Sequence, residues 1–130
     1  MADTSAFLAV LLIEPDEARF RAVLRASEVL LSAANRVELA LAARGRAGPD
    51  GPGKATRLLE AYAVRIVPVD ERQTAIALDA MNRYGKGRGA PPAVLNYGDL
   101  FSYALAKAEN LPLLFEGQDF TATDVEPALA

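Results

Sequence analysis

Glu38 stands in Val37-Glu38-Leu39-Ala40-Leu41-Ala42, an apolar stretch of helical periodicity. No residue three or four positions away carries a positive charge, so an ion pair along the helix is excluded. Its carboxylate is either solvated at the edge of an apolar face or used in a site. Asp99 occupies the third helical position after Asn96, with Ser102 and Tyr103 where a cation would pair with it. There it reads as a capping-box acid that also favours the helix dipole. A carboxylate at a helix start above a sheet also suits a metal site, and the two roles are compatible. Asp3 caps a first helix on the same reasoning. Asp119 and Asp124 follow an apolar segment near the C-terminal end, as turn residues or as further acids on the same rim.

These acids matter because little else could do chemistry. The chain has no cysteine and no histidine. Disulfides, thiol nucleophiles, Cys/His zinc sites and Ser-His-Asp triads are all excluded. Proton transfer and metal binding fall to Asp, Glu, Lys and Tyr, and oxygen-only ligands favour Mg²⁺ or Mn²⁺. A basic constellation complements them. Between Asp79 and Asp99 there is no acid, while Arg83, Lys86 and Arg88 are interleaved with Tyr84 and glycines. Such a segment can be a solvated loop or can approach phosphates closely. The Gly85-Lys86-Gly87-Arg88-Gly89 string lacks the spacing and the Lys-Ser/Thr pair of a P-loop. A net charge of -3 argues against a generic nucleic-acid binder, which would normally be basic overall.

The elements that must position these residues alternate between helices and short apolar segments. With 130 residues, 52% hydrophobic and 24% charged, the chain fits one globular domain spanning 1–130. Asp3 opens a helix over Ala6–Ile13, and Asp16-Glu17 opens another to about Ala26. Val29–Leu31 is a strand candidate, after which Ser32 caps a helix ending near Gly45. Ala47–Lys54, rich in Gly and Pro, reads as a flexible loop before a helix from about Ala55 to Tyr62. Arg65–Val69 is a second strand candidate, and Asp70 caps a helix to Tyr84. Gly85–Pro92 is a second loop, Asn96 caps a helix to about Glu109, and Leu111–Phe115 is a third strand candidate. Thr123–Val125 suits a short edge strand. This alternation implies an α/β fold, a parallel sheet covered by helices on both faces, with sites beyond the carboxyl ends of the strands. The longest apolar run, Ala6–Ile13, is far short of the ~20 residues of a membrane span. It also lacks the basic lead-in of a secretory signal. The expectation is a cytoplasmic protein with no membrane association.

Five motifs in register resemble a known family. They are Asp3-Thr4-Ser5-Ala6, Val37-Glu38-Leu39, Tyr84-Gly85-Lys86-Gly87-Arg88, Leu95-Asn96-Tyr97-Gly98-Asp99 running on through Phe101-Ser102-Tyr103-Ala104, and Leu113-Leu114-Phe115-Glu116-Gly117-Gln118-Asp119-Phe120. Together they are similar to the PIN-domain ribonucleases of the VapC toxin type, over essentially the whole chain. The resemblance implies a three-layer α/β/α domain with a central, mostly parallel sheet of four or five short strands. It implies a Mg²⁺-dependent endoribonuclease (Mn²⁺ being the alternative) acting on RNA such as tRNA or rRNA. A VapB-type antitoxin as partner and a homodimeric state are implied as well. Asp3, Glu38 and Asp99 match the three acidic positions of the family motif. The fourth departs from it: many relatives carry an acid where this chain has Gly117, leaving Asp119 as the candidate, with Asp124 behind it. Thr4 and Ser5 would support the cluster by hydrogen bonding, and Arg83, Lys86 and Arg88 would grip the RNA backbone. The rival from another class is a catalytically silent PIN module serving as a regulatory or RNA-binding partner. A phospho-aspartyl phosphatase would need an aspartate where Ser5 stands, and the paired acids of a receiver domain are missing.

Overall fold

The computed structural model describes residues 1–129. Six helices and two regular strands run in the order α1 (Thr4–Leu11), α2 (Glu17–Ala26), β1 (Leu30–Ser32), α3 (Ala33–Ala47), α4 (Gly51–Ala61), β2 (Arg65–Val67), α5 (Glu71–Tyr84) and α6 (Tyr97–Glu109). Strands β1 and β2 pair in parallel, Leu31 opposite Ile66. The expected sheet of four or five strands is thus reduced to two regular ones among the described residues. The parallel order continues only as single bridges. Ala2 pairs with Leu114, and Leu113 with Pro127. Ala2 N–H donates to the Leu30 carbonyl, and Asp3 N–H to that of Leu114, so residues 1–3 lie between β1 and the Leu113–Leu114 segment. The third strand candidate therefore pairs only at Leu113 and Leu114. The edge pairing falls at Pro127, not at Thr123–Val125.

Short as they are, these extended segments separate two cores because alternate side chains point to opposite faces. Ala2, Leu31 and Leu114 join Phe7, Val10, Leu24, Leu39 and Leu59, packing the sheet against α1 to α4. Met1, Leu30 and Leu113 join Ala80, Tyr103, Leu105 and Ala106, packing it against α5 and α6. This arrangement gives the three layers.

Helix starts follow the local chemistry. The side chains of Asp3, Ser32 and Asp70 each accept a backbone N–H at the first turn of the helix that follows. Asn96 and Asp99 form a reciprocal capping box on α6. One expectation fails: the Gly/Pro-rich 47–54 segment is not wholly loop, because α4 begins at Gly51 with Pro52 in its first turn. Proline is tolerated there, where its missing N–H has no helical partner to lose. A side chain at Gly51 would place its Cβ 2.1 Å from the Ala43 carbonyl oxygen, so only glycine lets α4 lie this close to α3.

Candidate active site

Helix starts deliver the acids to one place. Asp3 caps α1, Asp99 lies in the first turn of α6, Glu38 projects from α3, and Asp119 follows the Leu113–Leu114 segment. All four line a cavity of about 190 Å³, together with Thr4, Ser5, Asn96, Glu116 and Phe120. No lysine or arginine is among its lining residues. Asp3 and Asp99 are buried, while Glu38 and Asp119 are half-buried.

Asp3 and Glu38 are each held by hydrogen bonds. Asp3 Oδ2 accepts from the Ser5 N–H at 3.0 Å and from Ser5 Oγ at 2.6 Å, and its Oδ1 accepts from Ser102 Oγ at 2.5 Å. Glu38 Oε1 accepts from Thr4 Oγ1 at 2.5 Å and from Asn35 Nδ2 at 3.1 Å. Asn35 is wholly buried and also donates to the Gly98 carbonyl at 2.9 Å, with its Oδ1 lying 3.0 Å from Ser102 Oγ. A single carboxamide thus ties α3 to α6, and Ser102 ties both to Asp3. Asn35 and Ser102 sit one helical turn from Glu38 and Asp99, on the same helix faces. That i,i+3 spacing was the available signal, and without the fold nothing showed that the two residues face each other.

The crowding has an electrostatic signature. Asp99 is pushed up to about 8, chiefly by burial, against the pull of its hydrogen bond from the Asn96 backbone. The nearby charge of Asp3 and the carboxyl of Asp119, within hydrogen-bonding reach, push the same way. Retaining a proton is how a packed set of acids relieves its repulsion when no cation is near. A hard divalent ion relieves it equally, and an all-oxygen donor set suits one. Among the described residues, no three acidic side chains stand close enough to hold an ion without moving. The donor chemistry and the crowding fit a metal, and closing on it requires side-chain adjustment.

The other candidates fall elsewhere. Asp124 is exposed and outside the cavity: it accepts from Tyr103 Oη at 2.6 Å and pairs with Lys107 at 3.2 Å. The Tyr103 hydrogen bond, followed by the Lys107 contacts, holds its carboxyl below the usual range. It is therefore a partner of the α6 surface and not a fourth acid beside Asp99. Arg83 is also committed, donating to Tyr84 Oη at 2.7 Å and to Asp79 at 3.4 Å. Lys86 and Arg88 are exposed on the 85–92 loop, and none of the three basic residues lines the cavity. Glu116, beside Gly117, lines the cavity but was not among the sequence candidates. Burial, then the charges of Asp16 and Glu14 by the α1–α2 turn, push its carboxyl up against the opposing pull of Arg19.

Gly98 shows how tightly Glu38 is placed. A Cβ at Gly98 would fall 1.8 Å from Glu38 Oε2. The obstructing atom ends a flexible side chain, so Gly98→Ala should fold normally, helped by alanine's better helix propensity. Glu38 would have to leave its place between Thr4 and Asn35. The expected result is a Tm equal to or above wild type with activity down roughly 10–100-fold, as for other losses of ligand orientation. Full activity in the variant would show that Glu38's observed position is immaterial.

The PIN-domain family model matches residues 1–126. Among relatives, VapC ribonuclease Mb0640 of Mycobacterium bovis is 45% identical over 124 residues, covering 95% of this chain and 93% of that protein. Ribonuclease VapC42 of Mycobacterium tuberculosis is 40% identical over 129 residues, covering 98% of both. In the solved structure of Mycobacterium tuberculosis VapC20, titled a sarcin-ricin loop cleaving toxin, the same fold recurs. It has a TM-score of 0.75 and 16% identity, covering 95% of this chain and 94% of that one. The chain belongs to the PIN-domain family, among its VapC-type members. No helix among the described residues is long and apolar enough to cross a membrane.

Proposed function

We propose that this protein is a Mg²⁺-dependent endoribonuclease, the toxin of a toxin–antitoxin pair, neutralised by a VapB-type antitoxin and acting as a homodimer in the cytoplasm. The observation that carries the reading is the convergence of Asp3, Glu38, Asp99 and Asp119 on one cavity. The chain that builds it is 45% identical to a protein named as a VapC ribonuclease. A silent module would have no need to keep four acids together at an electrostatic cost.

Asp3, Glu38, Asp99 and Asp119 would hold the ion. When bound, Mg²⁺ or Mn²⁺ neutralises charge at the phosphodiester and lowers the pKa of water enough for attack near neutral pH. The chain's own contribution is orientation. Ser5 and Ser102 fix both oxygens of Asp3, Thr4 and Asn35 fix Glu38, and the Asn96 N–H fixes one oxygen of Asp99. Asp99 gives up its proton as the cluster is neutralised. The reaction is hydrolysis at phosphorus, leaving a 5′-phosphate. Lys86 and Arg88 meet the RNA backbone from the 85–92 loop, whereas Arg83 shapes that surface through Tyr84.

Purified protein should cut tRNA or rRNA substrates with Mg²⁺, stop with EDTA, and recover with Mn²⁺. Cleavage that is indifferent to EDTA, or absent from all structured RNAs with both metals, would sink the proposal.

A further inference from the structure

Beside the carboxylate cavity lies a second one, with Glu116 and Phe120 contributing to the walls of both. Its volume is about 470 Å³, within the ~300–1,000 Å³ range of small-ligand sites. The half-buried Phe115 ring packs on the buried Phe120 ring at 5.1 Å between centroids, giving the cavity an aromatic wall. The rim is polar, but the hydroxyls of Thr121 and Thr123 are turned back onto the carbonyls of Gln118 and Phe120. Recognition there rests on Gln118 and the charged groups. Of these, Asp16 and Arg19 approach each other at 3.7 Å, and Glu116 is the second acid. With acids outnumbering cations, the cavity disfavours a phosphate and suits a flat, neutral ligand that donates N–H bonds. It is also joined directly to the reaction centre, since the Glu116 N–H donates to Ser5 Oγ, which in turn donates to Asp3.

We propose that this cavity receives a guanine base flanking the scissile phosphate, its N1–H and N2–H donating to the Glu116 carboxylate while its ring lies against Phe115. The inference rests on the ribonuclease reading and adds a base preference to it. Guanine alone among the four bases presents two adjacent donors on its Watson–Crick edge. Adenine and cytosine place a ring acceptor beside their amino group, and uracil flanks its single N–H with carbonyls; each sets a lone pair against the carboxylate. Reading an unstacked base by hydrogen bonds to that edge and by stacking on an aromatic ring is the common mode of single-stranded RNA recognition. Paired N–H donors would also relieve the crowding of Glu116 by Asp16 and Glu14.

Binding and cleavage test the two readings separately. GMP, IMP and AMP are titrated into metal-free protein in EDTA, following the amide NMR signals of Phe115, Gln118 and Thr121. GMP should bind about tenfold more tightly than IMP, which lacks the 2-amino group, as one lost hydrogen bond to a charged group predicts, and by a larger factor than AMP, whose N1 lone pair faces the carboxylate. Glu116→Gln, which offers one acceptor and one donor in place of two acceptors, should abolish the GMP preference, while Phe115→Leu should weaken all three together. Equal binding of the three nucleotides by wild type, or an undiminished GMP preference in Glu116→Gln, overturns the assignment. In the cleavage arm, inosine replaces each guanosine of a cut RNA in turn, and one position beside the cut should slow. Guanine-selective binding without any Mg²⁺-dependent cleavage would overturn the ribonuclease reading and the placement beside a scissile bond, leaving the guanine site itself standing.

Discussion

Asp99→Asn is expected to abolish RNA cleavage, by roughly 10³-fold or more as for other members of a catalytic constellation, while stabilising the fold at pH 7. The two effects have one cause. Asparagine keeps an oxygen to accept the Asn96 N–H, so the capping box on α6 survives. It loses the charge with which Asp99 would hold a metal. In the folded protein Asp99 titrates near 8, against 3.8 for an ordinary aspartate. Below about pH 4 the carboxyl is protonated in both folded and unfolded chains, and the elevated value costs nothing. Between about 4 and 8 the unfolded chain releases this proton first, so wild-type stability falls as the pH rises through that window. Asparagine does not titrate. Its advantage should be absent near pH 4 and grow towards pH 8, reaching on the order of a few kcal/mol. Thermal melts of both proteins across that range, in EDTA, measure it directly. A wild type as stable as the variant at pH 8 would mean that Asp99 is not strained by its surroundings. Added Mg²⁺ should narrow the gap by stabilising wild type alone.

The largest effect on stability is expected at Gly51. Its Cβ would meet the Ala43 carbonyl oxygen at 2.1 Å and the carbonyl carbon at 2.5 Å, both backbone atoms of α3. Neither can rotate away, so relief requires α4 to move off α3, uncovering the buried Ala43, Ala55 and Leu59. Gly51→Ala should cost about 3 kcal/mol, the upper part of the overpacking range, and lower Tm by roughly 10 °C. An unchanged Tm would show that the helices part without cost. The contrast with Gly98→Ala is instructive, since there the added methyl meets a movable side chain and the loss falls on activity.

These residues also show which parts of the molecule the sequence disclosed. Capping is local, so Asp3, Ser32, Asp70 and the Asn96/Asp99 pair could be read from neighbouring residues, and the helix starts followed. Ambiguity between cap and site acid at Asp3 and Asp99 was real, because both residues do both things. The strands were harder. Segments that pair through a single bridge, such as Ala2 with Leu114, have too few residues to show a period-two pattern. The start of α4 escapes a reading in which Gly and Pro act as breakers, whereas in the first turn Pro is tolerated and Gly allows the close crossing. At the fourth acid, the direction of a loop carboxylate is set by distant partners. Asp124 is drawn to Lys107 and Tyr103 on α6, while the path from Leu114 carries Asp119 to Asp99. No spacing rule anticipates that choice.

The placement of residues 1–3 between β1 and Leu113–Leu114 bears on how such a protein can be made at all. Asp3 gets its Ser102 partner only 99 residues later in synthesis, and Ser5 meets Glu116 111 residues later. During translation the early acids are therefore loose on a growing chain, without the strand that seats them or Asp119, which completes the cavity. The cavity is complete only once residues through Phe120 have been made.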